Sequence, residues 1–160
     1  MLGILIGNEP VESKEYIRGA ITEKDIDLIS DLGEYDIDYC LFSRWVLPGQ
    51  HTNVSQFQPL RAYNFTETLI ATDIASAEFA SHLTLPKKKF FYVRFLEWFE
   101  KMKNVDHPTL SYEALEKVYL HKDIDLIVSN SEEYKIVSNL FKTPKYIVKD
   151  WDFRELANEC

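Results

Sequence analysis

The sequence predicts an α/β domain with a mostly parallel sheet, and three observations carry the prediction. Apolar runs of strand length recur along the chain, segments of helical periodicity separate them, and several runs stop at a polar residue with a helix start directly behind it. Apolar runs without alternation suit strands covered on both faces, and parallel neighbours need crossover connections of the kind a helix supplies.

The first run, LGILI at 2–6, ends at Gly7-Asn8-Glu9-Pro10. A helix is expected within 13–29, bounded near Gly19 and resumed by Glu23-Lys24-Asp25-Ile26-Asp27-Leu28-Ile29. The second strand spans 37–42 and ends at Ser43-Arg44. Segment 45–66 holds Pro48, Gly49 and Pro59 with little periodicity, so it reads as a long loop with a short extended piece at Phe57.

From there the alternation is regular. A strand at 68–71 runs into a helix at 74–83 that Pro86 ends, and 89–93 is a strand followed by helix or loop around 96–103. Leu115, Val118 and Tyr119 share one face of a helix at 112–119, and 125–128 is the next strand. Tyr134, Val137 and Leu140 align on a helix at 131–141, a last strand covers 146–148, and 152–158 closes as a short helix. The sum is one Rossmann-like three-layer domain over residues 1–160, with a sheet of about five or six strands.

A composition of 46% hydrophobic, 14% aromatic and 28% charged residues is that of a globular chain. A length of 160 residues lets it bury roughly two thirds of its unfolded surface. The net charge of −8 repels phosphate backbones and lipid headgroups, so no direct nucleic-acid or membrane binding is expected. Lys87-Lys88-Lys89 reads as a solvated edge before a strand. Cys40 falls in a buried strand and Cys160 ends the chain, which argues for free thiols in a reducing compartment. LGILIG after Met1 is too short for a signal peptide or a membrane span, so a cytoplasmic location is expected, the host cytoplasm if the protein is viral.

Gly7 stands alone, without a GxGxxG or GxxxxGK[ST] loop to cradle phosphates. The four histidines are scattered, neither cysteine lies in CxxC, and no GxSxG elbow occurs, so no metal or cofactor is expected. Chemistry is then left to strand ends. Parallel strands place their C-termini on one rim, where Gly7, Asn8, Arg44, Thr72, Asp73, Arg94, Ser129, Asn130 and Asp150 collect, with Glu97 and Trp98 one turn beyond Arg94. Asp73 lies at the junction in LIATDIASAEF, where a carboxylate caps a helix and where open α/β sheets gather their ligands. Asn130 or Ser131 caps the helix after IVSNSEEY.

Taken in order, LIATDIASAEF, FFYVRFLEWFE, YEALEKVYLHKDIDLIVSNSEEYKIVSNLF and PKYIVKDWDF resemble the N-terminal Rossmann half of GT-B glycosyltransferases of the small phage type, over residues 69–153. Phe95 stands where that pattern has an acidic residue before Leu96-Glu97-Trp98, and at 160 residues a second, nucleotide-sugar-binding domain is not expected within this chain. The resemblance implies sugar transfer from a nucleotide sugar, with a partner chain or second protomer completing the cleft. It implies Asp73 as general base, Arg94 as an anion partner and Trp98 as a stacking surface for the acceptor. The alternative is a non-catalytic binding or inhibitory module that meets a protein partner through its acidic surface. Asp25, Asp27, Asp31, Glu34, Asp36 and Asp38 form the stretch that would imitate phosphates.

Overall fold

The computed structural model describes residues 1–7, 21–45, 55–94, 96 and 112–158. Among them, seven strands form one sheet: β1 (Leu2–Leu5), β2 (Tyr39–Phe42), β3 (Ser55–Phe57), β4 (Thr68–Ala71), β5 (Lys88–Val93), β6 (Asp125–Val128) and β7 (Tyr146–Ile147). Every pairing is parallel, in the order β3-β2-β1-β4-β5-β6-β7. The chain winds outward from β1 to β3 and then returns beside β1 to build the other half. The order therefore reverses between β1 and β4, the position at which open α/β sheets leave a crevice at the strand C-termini. The strand count exceeds the expected five or six because the extended piece at Phe57 pairs as a full edge strand against β2.

Helices cover both faces. On one lie α2 (Ile74–Ser81), α3 (Tyr112–Tyr119) and α4 (Ser131–Leu140); on the other lie α1 (Glu23–Ser30), a 3-10 turn (Asp31–Tyr35) and α5 (Arg154–Ala157). Strand β5 shows how the sequence divides itself between them. Phe91 and Val93 join the first core with Leu5, Ala77 and Val118, while Phe90 and Tyr92 join the second with Ile4, Ile26 and Leu156. Each fully buried apolar side chain of this kind contributes about 1.5–3 kcal/mol, the term that offsets chain entropy.

Two details position the rim. Gly3 sits under Phe42 and Phe65, whose ring atoms lie 2.9 and 2.8 Å from where a Cβ would be, so a side chain there would displace the aromatic cover of β1. On the other face, Trp151 and Phe153 pack edge-on against Tyr92, with ring centroids 5.3 and 5.2 Å away, and pin the segment after β7 onto the end of β5. The lysine run is only partly solvated. Lys87 pairs with Glu67 at 3.1 Å, but Lys89 is buried within β5 and donates to the Leu83 carbonyl at 2.9 Å. Burial lowers its pKa. The helix or loop expected at 96–103 and the first part of the helix expected within 13–29 lie outside the described residues, apart from Leu96.

Among the described residues, no helix is long and apolar enough to cross a membrane.

Candidate functional site

Asp73 lies where β4 meets α2, in extended conformation, and is 1% exposed. Its Oδ1 accepts the Ser76 N–H at 2.7 Å and its Oδ2 accepts the Gly7 N–H at 2.9 Å. The Ser76 hydroxyl accepts the Asp73 N–H in return, closing a capping box. Thr72 is equally engaged: its N–H and hydroxyl both donate to the Leu5 carbonyl, at 3.2 and 3.1 Å. These two residues lock the ends of β1 and β4 together beneath the rim. The carboxylate expected to act as general base is thus a buried cap with a backbone donor on each oxygen.

Among the described residues, two hollows open on this rim, on opposite faces of the sheet. The first, about 430 Å³, lies beyond β5, β6 and β7 on the α1 face. Arg94, Ser129, Asn130 and Asp150 all line it, so four of the expected site residues converge here. Lys24, Asp25, Lys149 and Trp151 line it as well. The second, about 340 Å³, lies on the α2 face, is walled by Leu60, Ala75 and Phe79, and takes in two more of the expected residues, Gly7 and Arg44. Arg44 lies over the Trp45 ring, 5.4 Å from its centroid, and the Trp45 indole N–H donates to the Gly7 carbonyl at 3.4 Å. Thr72 and Asp73 line neither hollow. Asn8, Glu97 and Trp98 lie outside the described residues.

Arg94 leaves the end of β5 with its guanidinium over Trp151, 4.9 Å from the ring centroid, and one terminal nitrogen 3.6 Å from Asp25 Oδ2. Asp25 is held from three sides. Its Oδ1 accepts the Trp151 indole N–H at 2.9 Å, and its Oδ2 accepts the Thr22 N–H and hydroxyl at 2.8 and 2.9 Å. Asp25 is the third residue of α1 and belongs to the capping box begun by Thr22. A residue of the acidic stretch therefore turns inward and buttresses the rim, while Asp27, Asp31, Glu34, Asp36 and Asp38 are exposed.

Trp151 carries this load in a strained backbone: Asp150 and Trp151 have φ of 48° and 63° in succession, left-handed values that a bulky residue adopts at a cost of about 1–2 kcal/mol. On the β6 side, Ser129 donates its N–H and hydroxyl to Glu133 Oε2 at 3.1 and 2.7 Å. Burial raises the Glu133 pKa, and these bonds hold it back. Of the two expected caps, Asn130 is the one used, its side-chain oxygen accepting from Glu132 and Glu133.

The sequence reading did not single out Lys24 or Lys149. Lys149-Asp150-Trp151 directly after a strand was the available signal for one, and the Thr22-x-x-Asp25 cap for the other. Among the described residues, no cluster of His, Cys, Asp or Glu is arranged to hold a metal ion. Comparison with protein-family models, with curated proteins and with solved structures finds no match.

Proposed function

We propose that this chain is a glycosyltransferase-like half-site, a Rossmann-like domain that holds a nucleotide sugar at its rim and needs a partner chain or second protomer to complete the cleft and the reaction. The single observation that carries this reading is the convergence of Arg94, Ser129, Asn130 and Asp150, drawn from the ends of three neighbouring parallel strands, on one polar cleft of about 430 Å³. Cations, an amide, a hydroxyl and a carboxylate on one wall match a ligand that carries both charge and vicinal hydroxyls. In this reading Asp73 shapes the floor between β1 and β4.

Thermal unfolding of the full chain with UDP, UDP-glucose and GDP-sugars is the test. A ligand at a hundred times its dissociation constant adds about 2.7 kcal/mol of stability. No shift with any of them in Arg94-intact protein overturns the reading.

The exposure of Asp27, Asp31, Glu34, Asp36 and Asp38 supports a second reading, a binding or inhibitory module for a basic protein partner. A stoichiometric complex that salt dissociates would select it.

A further inference from the structure

We infer that the cleft beside Arg94 is a phosphoryl-binding site, in which Lys24, Arg94 and Lys149 hold the anion and Asp25 and Trp151 act as positioning residues for Arg94. This rests on the half-site reading and deepens it by naming which part of the ligand this chain would grip.

Charge is the first argument. The chain as a whole carries −8, yet this cavity is lined by three cations against two carboxylates, Asp25 and Asp150. Asp25 is spent inside the wall on Trp151, Thr22 and Arg94, which leaves Asp150 as the carboxylate that faces a ligand. Lys24 and Lys149 take part in no ion pair among the described residues. Three cations against two carboxylates give this lining a formal charge opposite in sign to that of the chain, the local asymmetry that attracts an anion.

Placement is the second argument. Lys24 occupies the second position of α1, where the helix dipole disfavours a cation, so its charge is not there to stabilise the helix. Lys149 precedes the two left-handed residues Asp150 and Trp151, and strained backbone of this kind gathers at ligand sites. Arg94 is already placed: its guanidinium lies over the Trp151 ring and 3.6 Å from Asp25 before any ligand arrives. A planar fork held in this place, with two lysines lining the same cleft, suits the several oxygens of a phosphate or diphosphate.

Inorganic pyrophosphate, glucose 1-phosphate, UDP, UDP-glucose and uridine, titrated calorimetrically into the full-length chain and into Lys24→Gln, Lys149→Gln and the double variant, separate the outcomes. Both lysines are exposed, so these variants should retain the parent unfolding temperature. Pyrophosphate should bind and weaken with salt, uridine should not bind, and the double variant should lose about tenfold or more in pyrophosphate affinity. Glucose 1-phosphate binding more tightly than UDP would mark a sugar phosphate as the source, and the reverse order a nucleotide. UDP-glucose binding that is indifferent to both lysines, with no pyrophosphate binding, overturns the phosphoryl site and leaves the half-site reading standing. Lysine-dependent pyrophosphate binding without any nucleotide-sugar binding keeps the site and removes that reading.

Discussion

The Gly7 N–H donates to Asp73 Oδ2 at 2.9 Å, and a Cβ on Gly7 would lie 2.4 Å from Asp73 Oδ1 and 2.8 Å from the Ser76 backbone nitrogen. The glycine at the end of β1 and the aspartate at the end of β4 are thus one device: the missing side chain lets the carboxylate come close enough to cap both segments. Gly7→Ala must move backbone, and we expect it to cost about 1–3 kcal/mol. Asp73→Ala removes a cap and orphans the buried Ser76 N–H and the half-buried Gly7 N–H, for about 2–4 kcal/mol, with Asp73→Asn in between. Urea unfolding measures all three. A change below about 0.5 kcal/mol in Asp73→Ala would show that the lock is not holding the rim.

How legible the fold was depended on how local each cause is. Thr68–Ala71, Tyr112–Tyr119 and Asp125–Val128 match the expected ranges because apolar periodicity bounded by polar or turn residues is a local signal. Strand β3 shows in the sequence only as a short extended piece, because its three residues are all exposed and its pairing partner is distant in sequence. The candidate site divides in the same way. Arg94, Ser129, Asn130 and Asp150 follow from being next after buried strands, whereas Asp25 was assigned to an acidic surface because its partner, Trp151, lies 126 residues away. Asp73 was recognised as a cap from the strand-to-helix junction, but its closure by Gly7 needed the β1–β4 register.

The Asp25–Trp151 bond predicts a measurable coupling. Asp25→Ala and Trp151→Phe should each destabilise the chain, and the double variant should be less damaged than the sum by about 1–2 kcal/mol, since a hydrogen bond to a charged group is lost only once. A coupling energy near zero in the unfolding cycle would mean that Arg94, not Trp151, is the partner that matters to Asp25.

Ser138 predicts a gain. Its buried hydroxyl oxygen has no hydrogen-bond partner among the described residues, and it lies within α4. Ser138→Ala removes the orphaned group and raises helix propensity, so stability should rise by about 0.5–1 kcal/mol. A loss on thermal unfolding would mean that a water or a partner serves this hydroxyl in solution.

Cys40 lies 3% exposed in β2, and burial pushes its thiol pKa up to about 11. The thiolate is the reactive form, so in a Cys160→Ser background near pH 8 a disulfide reagent should label Cys40 at least about tenfold more slowly in the native chain than in urea. Fast native labelling would indicate opening of the β1–β2–β3 half on the labelling timescale.

Glu133 gives the chain a pH dependence of defined sign. It is 9% exposed, and desolvation raises its pKa above the ordinary 4.5 despite the bonds from Ser129. A carboxyl whose folded pKa is raised binds more protons folded than unfolded between the two values. Its contribution to stability is therefore present below the unfolded pKa and declines as pH rises through the folded one. Glu133→Gln keeps an acceptor for the Ser129 N–H and hydroxyl without the charge. As pH rises above the unfolded carboxyl range of about 4 and through the raised folded value, the parent chain should lose stability relative to this variant, seen as a widening gap in Tm in favour of Gln. A gap that is constant with pH would assign Glu133 the same ionisation in both states. A gap that narrows would mean that the Ser129 bonds, rather than burial, dominate its titration.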